Sequence, residues 1–374
     1  MAAMPPLATQ AVAIGAWRDV DALRRRLREG LAIPAHPLAL DASRRYDARR
    51  QRALTRYYLD AGAGGLAVGV HTTQFAIREA GLYETVLHDA IETARAWPRD
   101  APPPVMVAGV CGGTTQAVAE ARLATGLGYH AGLLSLAALK GASDDALIAH
   151  CQAVAREIPL VGFYLQPAVG GLELGAAFWA RFAAIDAVVA IKVAPFNRYR
   201  TLDVVRGIVA ARAEDRVVLY TGNDDHVVLD LVTPFVAMRD GLPVTLRFRG
   251  GLLGHWSVWT RGAVELLERC KAAVQAAEAG SAVPSELLAL DSCVTDCNAA
   301  FFDVANDFRG CIAGCHEVLR RQGLLEGTWC LDPHEGLSPG QAEAIDRVLQ
   351  SHADLADDAF VAANLARWLG NPSS

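Results

Sequence analysis

Eight short apolar runs recur along the first two thirds of the chain, at 36–41, 65–70, 105–110, 131–136, 160–165, 188–193, 217–222 and 245–250. Their start-to-start spacings are 29, 40, 26, 29, 28, 29 and 28 residues. Within each run the apolar character is nearly continuous. A strand with one wet face alternates, whereas a strand covered on both faces does not, so the pattern predicts a parallel sheet sheathed by helices. The segments between runs have a helical period. In 48–62, Leu54, Tyr57 and Tyr58 share a face and a glycine follows. The segment 114–128 opens on threonines, and 144–157 and 202–215 carry Asp near their starts, where the helix dipole favours negative charge. Eight strand–helix units predict the α/β class and a (β/α)8 barrel, the TIM-barrel architecture. A doubly wound open sheet is the alternative, but it has fewer strands as a rule, and no GxGxxG follows the first run. The expected divisions are a one-helix N-terminal extension over 1–35, the barrel over 36–280, and a helical C-terminal region over 281–374 after a GSAVP linker.

Composition narrows the function classes. The chain has 374 residues, of which 52% are hydrophobic and 20% charged, with a net charge of −6. That apolar content supports a large core and excludes disorder as the main state. No basic run interleaved with aromatics is present, so no nucleic-acid partner is expected; Arg24, Arg25, Arg26 and Arg28 read as a solvated helix face. The longest uncharged stretch, 101–119, holds three prolines and two adjacent glycines, so no membrane span is expected. Residues 1–10 lack a basic-then-apolar leader, and the expectation is a cytoplasmic protein. Eight cysteines are too sparse for a disulfide scaffold. Cys293/Cys297 and Cys311/Cys315 are spaced four apart, with His316 beside the last, so each pair shares a face if helical. A metal or redox site there is weighed against simple packing, and the four-residue spacing favours packing. Neither a metal nor an organic cofactor is expected.

In a (β/α)8 barrel the active site lies at the C-terminal ends of the strands. The residues read there are Asp41, His71, Thr72, Thr73, Tyr164, Lys192, Gly222, Asn223, Asp224, His226, Gly250, Gly251 and His255. Lys192 is the informative one, because it sits inside the apolar run VVAIKVAP. Desolvating an ammonium is expensive, and a desolvated lysine becomes a nucleophilic amine suited to Schiff-base chemistry. The competing reading is an ion pair to Asp41 or Asp224. Tyr164 ends the preceding run, where a phenol can shuttle protons, and Thr72 and Thr73 can hold a carboxylate.

Together these residues resemble the dihydrodipicolinate synthase / N-acetylneuraminate lyase family over roughly 30–330. The resemblance rests on Thr72-Thr73 in GVHTTQF, on Tyr164-Leu165-Gln166-Pro167, on Ile191-Lys192, and on Gly222-Asn223-Asp224-Asp225. It implies that Lys192 attacks the ketone of a 2-oxo acid, that Tyr164 relays protons with Thr73, and that Thr72, Thr73 and their N–H groups seat the carboxylate. The protonated imine then serves as electron sink for carbon–carbon or carbon–oxygen lysis. The resemblance also implies a homodimer or homotetramer. Three departures point away from dihydrodipicolinate synthesis itself. His71, Gln74 and Phe75 replace family residues around the threonine pair. Val169 stands where those synthases have a substrate-binding Arg, and LLSLAAL carries no tyrosine after strand 4. Asp41, His71, His226 and His255 are candidate replacements. Two other readings remain: a phosphate cradle at the glycines of strand 8, and a non-catalytic barrel with a binding or regulatory role.

Overall fold

The computed structural model describes residues 17–370. The segment 1–10, read above for a leader, lies outside the described residues. Eight parallel strands form the barrel: β1 (Ala32–Pro34), β2 (Gly65–Val68), β3 (Val105–Val110), β4 (Ala131–Leu134), β5 (Leu160–Leu165), β6 (Val188–Ala194), β7 (Val218–Thr221) and, after a hairpin formed by β8 (Phe235–Arg239) and β9 (Leu242–Leu246), β10 (Phe248–Leu253). The hydrogen-bonded order is β1-β10-β7-β6-β5-β4-β3-β2. The ring is closed between β1 and β2 by a parallel bridge of Ala35 with Ala67, where His36 N–H donates to the Ala67 carbonyl at 2.8 Å. The (β/α)8 class expected from the apolar runs is therefore the fold observed.

Two strands differ from expectation. The run 36–41 is a buried loop, and β1 precedes it, starting at Ala32 within the segment assigned to the N-terminal extension. Pro37 has no N–H for a ladder. The loop's backbone is instead satisfied by the buried Gln51 side chain, which accepts from Ala39 N–H at 2.7 Å and donates to the Pro37 carbonyl at 3.0 Å. Residues 245–246 belong to β9 of the hairpin, and the barrel strand is 248–253. The hairpin turns through Asp240-Gly241, both at positive φ (53° and 79°), the two-residue turn that matches strand twist.

Side chains sort into two cores. Val161, Phe163, Val189, Ala190, Ala194 and Tyr220 face the barrel interior, while Leu160, Tyr164, Val188, Ile191 and Val193 face the surrounding helices. Helix α1 (Val20–Arg28) closes the N-terminal end of the barrel by burying Leu23 and Leu27 in the interior cluster. Tyr220 fixes it there, donating to the Leu27 carbonyl at 2.7 Å and accepting from Leu31 N–H at 3.2 Å.

The outer layer is α2 (Ala48–Asp60), α3 (Tyr83–Ala96), α4 (Thr114–Leu127), α5 (Asp144–Ala155), α6 (Ala176–Ala183), α7 (Arg198–Ala210), α8 (Val227–Val232) and α9 (Thr260–Glu278). Beyond it run α10 (Ser285–Phe301), α11 (Cys311–Arg321), α12 (Gln341–Ser351) and α13 (Asp358–Trp368). Helix α10 grips the loop after β7, since Asn298 donates to the Asp224 carbonyl at 2.6 Å and Thr295 to the Asp225 carbonyl at 2.8 Å. The chain leaving α10 then crosses the C-terminal mouth of the barrel. No helix among the described residues is long and apolar enough to cross a membrane.

Candidate active site

A pocket opens at the C-terminal mouth, with about 600 Å³ of empty space, part of it continuous with solvent. Lys192 stands on its floor, 8% exposed. Two neighbours make its conformation possible. Gly222 lies so close that a Cβ there would fall 2.6 Å from Lys192 Cε and 2.9 Å from Ala194 Cβ. The Phe163 ring faces the amine, with Nζ 4.5 Å from its centroid. Neither Asp41 nor Asp224 closes an ion pair with Lys192 within 4 Å, and no other such pair involves it among the described residues. Burial pushes the ammonium pKa down, and the facing Asp224 carboxylate only partly offsets this.

Asp224 lies partly buried on the same pocket wall, and its Oδ1 is buried with no hydrogen-bond partner. Burial pushes its pKa up, Lys192 and the His255 backbone N–H pull it down, and Asp225 pushes it up again. His71 also lines the pocket; burial, reinforced by the charge on Lys192, lowers its imidazole to about 4, so the ring is neutral at pH 7. Thr72 is on the wall as well, but its hydroxyl donates to the Ala35 carbonyl at 2.8 Å. The backbone N–H groups of His71 and Thr72 donate to no acceptor among the described residues.

Several residues singled out from the sequence lie elsewhere. Tyr164 is 1% exposed on the outer face of β5. Its hydroxyl donates to the Leu174 carbonyl at 3.0 Å and accepts from Leu174 N–H at 3.3 Å, and its ring packs on Trp179. The cause is strand alternation: Phe163, not Tyr164, is the register partner of Lys192, so the tyrosine points away from the amine. Thr73 is a loop brace, donating to the His36 carbonyl at 2.6 Å and accepting from Gly69 N–H and Val70 N–H. Asn223 turns from the pocket into a polar knot, accepting from Phe196 N–H at 3.1 Å and donating to Asp230 at 2.9 Å. Asp41 is half-buried where the 36–41 loop meets the exposed turn after it, paired with Arg45 at 2.8 Å. His226 faces Asp291 at 3.3 Å. His255 lies behind the wall, stacked on Phe301, with its pKa lowered to about 4 by burial.

Gly250 and Gly251 do not form an open cradle. A Cβ on the first would meet the Leu31 carbonyl oxygen at 2.3 Å, and on the second the Trp256 ring at 2.7 Å, so both serve internal packing. Cys297 and Cys315 are buried, and no cluster of three or more metal-ligating side chains occurs among the described residues.

The residues missed from sequence are mostly apolar: Phe163, Leu165, Phe196, Phe302 and Phe308 line the pocket, with Cys311. Phe196 and Phe308 touch across the mouth at 5.9 Å between centroids, and both have left-handed backbone (φ 50° and 65°). No arginine among the described residues lines the pocket. Phe163 and Leu165 alternate with Tyr164, but the run 160–165 carries no signal for which parity is inward, and Phe302 and Phe308 arrive from another part of the chain.

No protein-family model matches the chain, and no curated protein matches it. Solved structures do. A dihydrodipicolinate synthase from Acinetobacter baumannii, solved with pyruvate, superposes with a TM-score of 0.69 at 18% identity, covering 89% of this chain and 99% of its own. A dihydrodipicolinate synthase from Oceanobacillus iheyensis gives 0.70 at 16% identity, over 90% and 100% of the two chains. An N-acetylneuraminate lyase from Fusobacterium nucleatum gives 0.67 at 15% identity, over 87% and 99%. The chain thus has the barrel fold shared by these synthases and lyases.

Proposed function

We propose that this protein is a divergent member of the dihydrodipicolinate synthase / N-acetylneuraminate lyase family, a lyase that joins the ketone of a 2-oxo acid to Lys192 as an imine. The observation that carries the reading is Lys192 itself: an amine buried at the mouth of the barrel, with its pKa depressed by desolvation and no ion pair closed upon it. An unprotonated amine there attacks the ketone, and the resulting protonated imine draws electrons from the adjacent carbon, which permits carbon–carbon or carbon–oxygen cleavage. The unused N–H groups of His71 and Thr72 supply a seat for the substrate carboxylate. The remainder of the substrate meets Phe163, Leu165, Val169, Phe196, Phe302 and Phe308. With no arginine in the pocket, a second carboxylate has no partner, which argues for an uncharged, apolar remainder and against dihydrodipicolinate synthesis.

The test is reductive trapping. The protein is incubated with a panel of 2-oxo acids, pyruvate first and then acids with aliphatic and aromatic tails, and reduced with borohydride. Peptide masses then locate the adduct among the chain's lysines, Lys140, Lys192 and Lys271. An adduct on Lys192, strongest with an apolar tail, is the expected result. A folded protein that yields none with any acid refutes the reading.

A further inference from the structure

Imine formation needs a proton donor as well as an amine, and the tyrosine expected to provide one is turned away. We propose that Asp224 is the proton carrier of this site, sharing one proton with Lys192 and delivering it to the departing oxygen of the 2-oxo acid; this rests on the Lys192 imine reading. The geometry leaves no better acid. The Tyr164 hydroxyl is committed to Leu174 on the far side of β5. The Thr72 and Thr73 hydroxyls donate to the Ala35 and His36 carbonyls. The Cys311 thiol lines the pocket, but burial makes it a weaker acid than a free thiol, and the neutral His71 ring has little proton to give. Among the described residues Asp224 is the one carboxyl on the pocket wall, and its buried Oδ1 has no hydrogen-bond partner. Among the described residues no ion pair within 4 Å closes the amine and the carboxyl on each other, and both line the pocket the reacting oxygen would enter.

The step balances. The Lys192 nitrogen lone pair forms a bond to C2, and the carbonyl π pair moves to oxygen. The two amine protons and the one carboxyl proton are then distributed between the imine nitrogen, which keeps one, and the oxygen, which takes two. The C–O bond breaks, water leaves with the electron pair, and the nitrogen lone pair closes the protonated imine. Asp224 ends as a carboxylate beside that cation, well placed to stabilise it and to take a proton from the intermediate that follows. The charged and titratable groups facing Asp224 are Lys192 on β6, Asp225 beside it, and Cys311 and Cys315 on α11; the His255 backbone N–H also points at it. Among these, Lys192 alone is a cation, so the shared proton resides on that pair.

The test follows the rate of borohydride trapping with the best acid of the panel, across pH, for the wild type, Asp224→Asn, Asp224→Glu and Tyr164→Phe. Wild type is expected to show a bell-shaped profile, because the pair reacts only while it holds one proton. Asp224→Asn is expected to trap about 100-fold more slowly or worse, the usual size of a general-acid contribution, and to lose the fall at high pH. Asp224→Glu is expected to regain most of the rate, and Tyr164→Phe to match wild type. An Asp224→Asn protein that traps at the wild-type rate, or a wild-type profile with no fall at high pH, overturns the assignment while leaving the Lys192 imine standing; the second readout needs no variant to fold. Wild type that forms no adduct at Lys192 overturns both.

Discussion

Glu120, on α4, is a buried carboxylate outside the candidate site. It receives two hydrogen bonds from the Arg78 guanidinium, at 2.8 and 2.9 Å, one from Cys111 N–H at 3.1 Å and one from Gln116 at 2.8 Å. The two paired side chains are only 10% and 9% exposed. Arg78 in turn donates to the Gly69 carbonyl at 3.2 Å and the Gly109 carbonyl at 3.0 Å, and lies over the Tyr83 ring at 4.4 Å. The pair thus ties the loop after β2, which carries His71 and Thr72, to the tops of β3 and α4. Glu120→Ala removes four acceptor contacts and strands a buried guanidinium, so the expected loss is about 3–5 kcal/mol, the range for breaking a buried pair from one side. At about 2.1 cal/mol/K per residue, a chain of this length melts about 5 °C lower. Urea unfolding and calorimetry of Glu120→Ala, Arg78→Met and the double variant measure it, with a coupling of about 2 kcal/mol expected from the cycle. Borohydride trapping should also slow, because the loop that carries the proposed carboxylate seat loosens. A Glu120→Ala protein within about 0.5 kcal/mol of wild type, the ordinary effect of a surface change, refutes this reasoning.

Lys192→Met is expected to abolish trapping while leaving the fold at least as stable, since the desolvation that depresses the amine's pKa is removed with it. Its pH dependence has a definite sign. The folded-state lysine pKa lies below the unfolded value, so the unfolded chain binds more protons in that interval, and wild-type stability rises with pH there. Lys192→Met removes that rise, which urea titrations between pH 7 and 10 detect. Gly222→Ala places a methyl 2.6 Å from Lys192 Cε and is expected to slow trapping about tenfold or more, with a stability change of about 1–3 kcal/mol. Equal trapping rates would show that the lysine side chain moves aside freely. Asp230 accepts from Thr221 at 2.6 Å and Asn223 at 2.9 Å and pairs with Arg198, at 0% exposure. Asp230→Ala is expected to lower stability by about 3 kcal/mol, measured by thermal melting, because it takes this acceptor from the buried Thr221 and Asn223 donors.

The chain alone determined the class of fold and singled out one buried lysine. Strands covered on both faces are continuous in apolar residues, and helices between them keep a longer period, so the β–α beat is written locally and reads correctly from Val105 to Thr221. Lys192 was legible for the same local reason: an ammonium inside VVAIKVAP is costly to bury, whatever surrounds it. Where a run has more than one way to satisfy its backbone, local pattern fails. HPLALD is as apolar as a strand, yet Gln51, from the following helix, supplies its hydrogen bonds and makes it a loop.

Tertiary structure decided which side of each strand faces the pocket and what covers the mouth. Tyr164 and Phe163 are neighbours in an apolar run, and nothing within that run says which is inward. The pairing of β5 with β6, with its irregularity between Leu160 and Val161, sets the parity and places Phe163 against Lys192. A one-residue difference in register moves every side chain of a strand to the opposite face, which is why the tyrosine motif read from the sequence does not reach the amine. Asp224, in the loop after β7, gains its meaning likewise from Lys192, on the adjacent strand in space and 32 residues away in the chain. Phe302, Phe308 and Cys311 join the pocket only because α10 and α11 pack over the barrel mouth. Contacts between distant segments are set by the packing of whole elements, and no periodicity of 2.0 or about 3.6 residues encodes them.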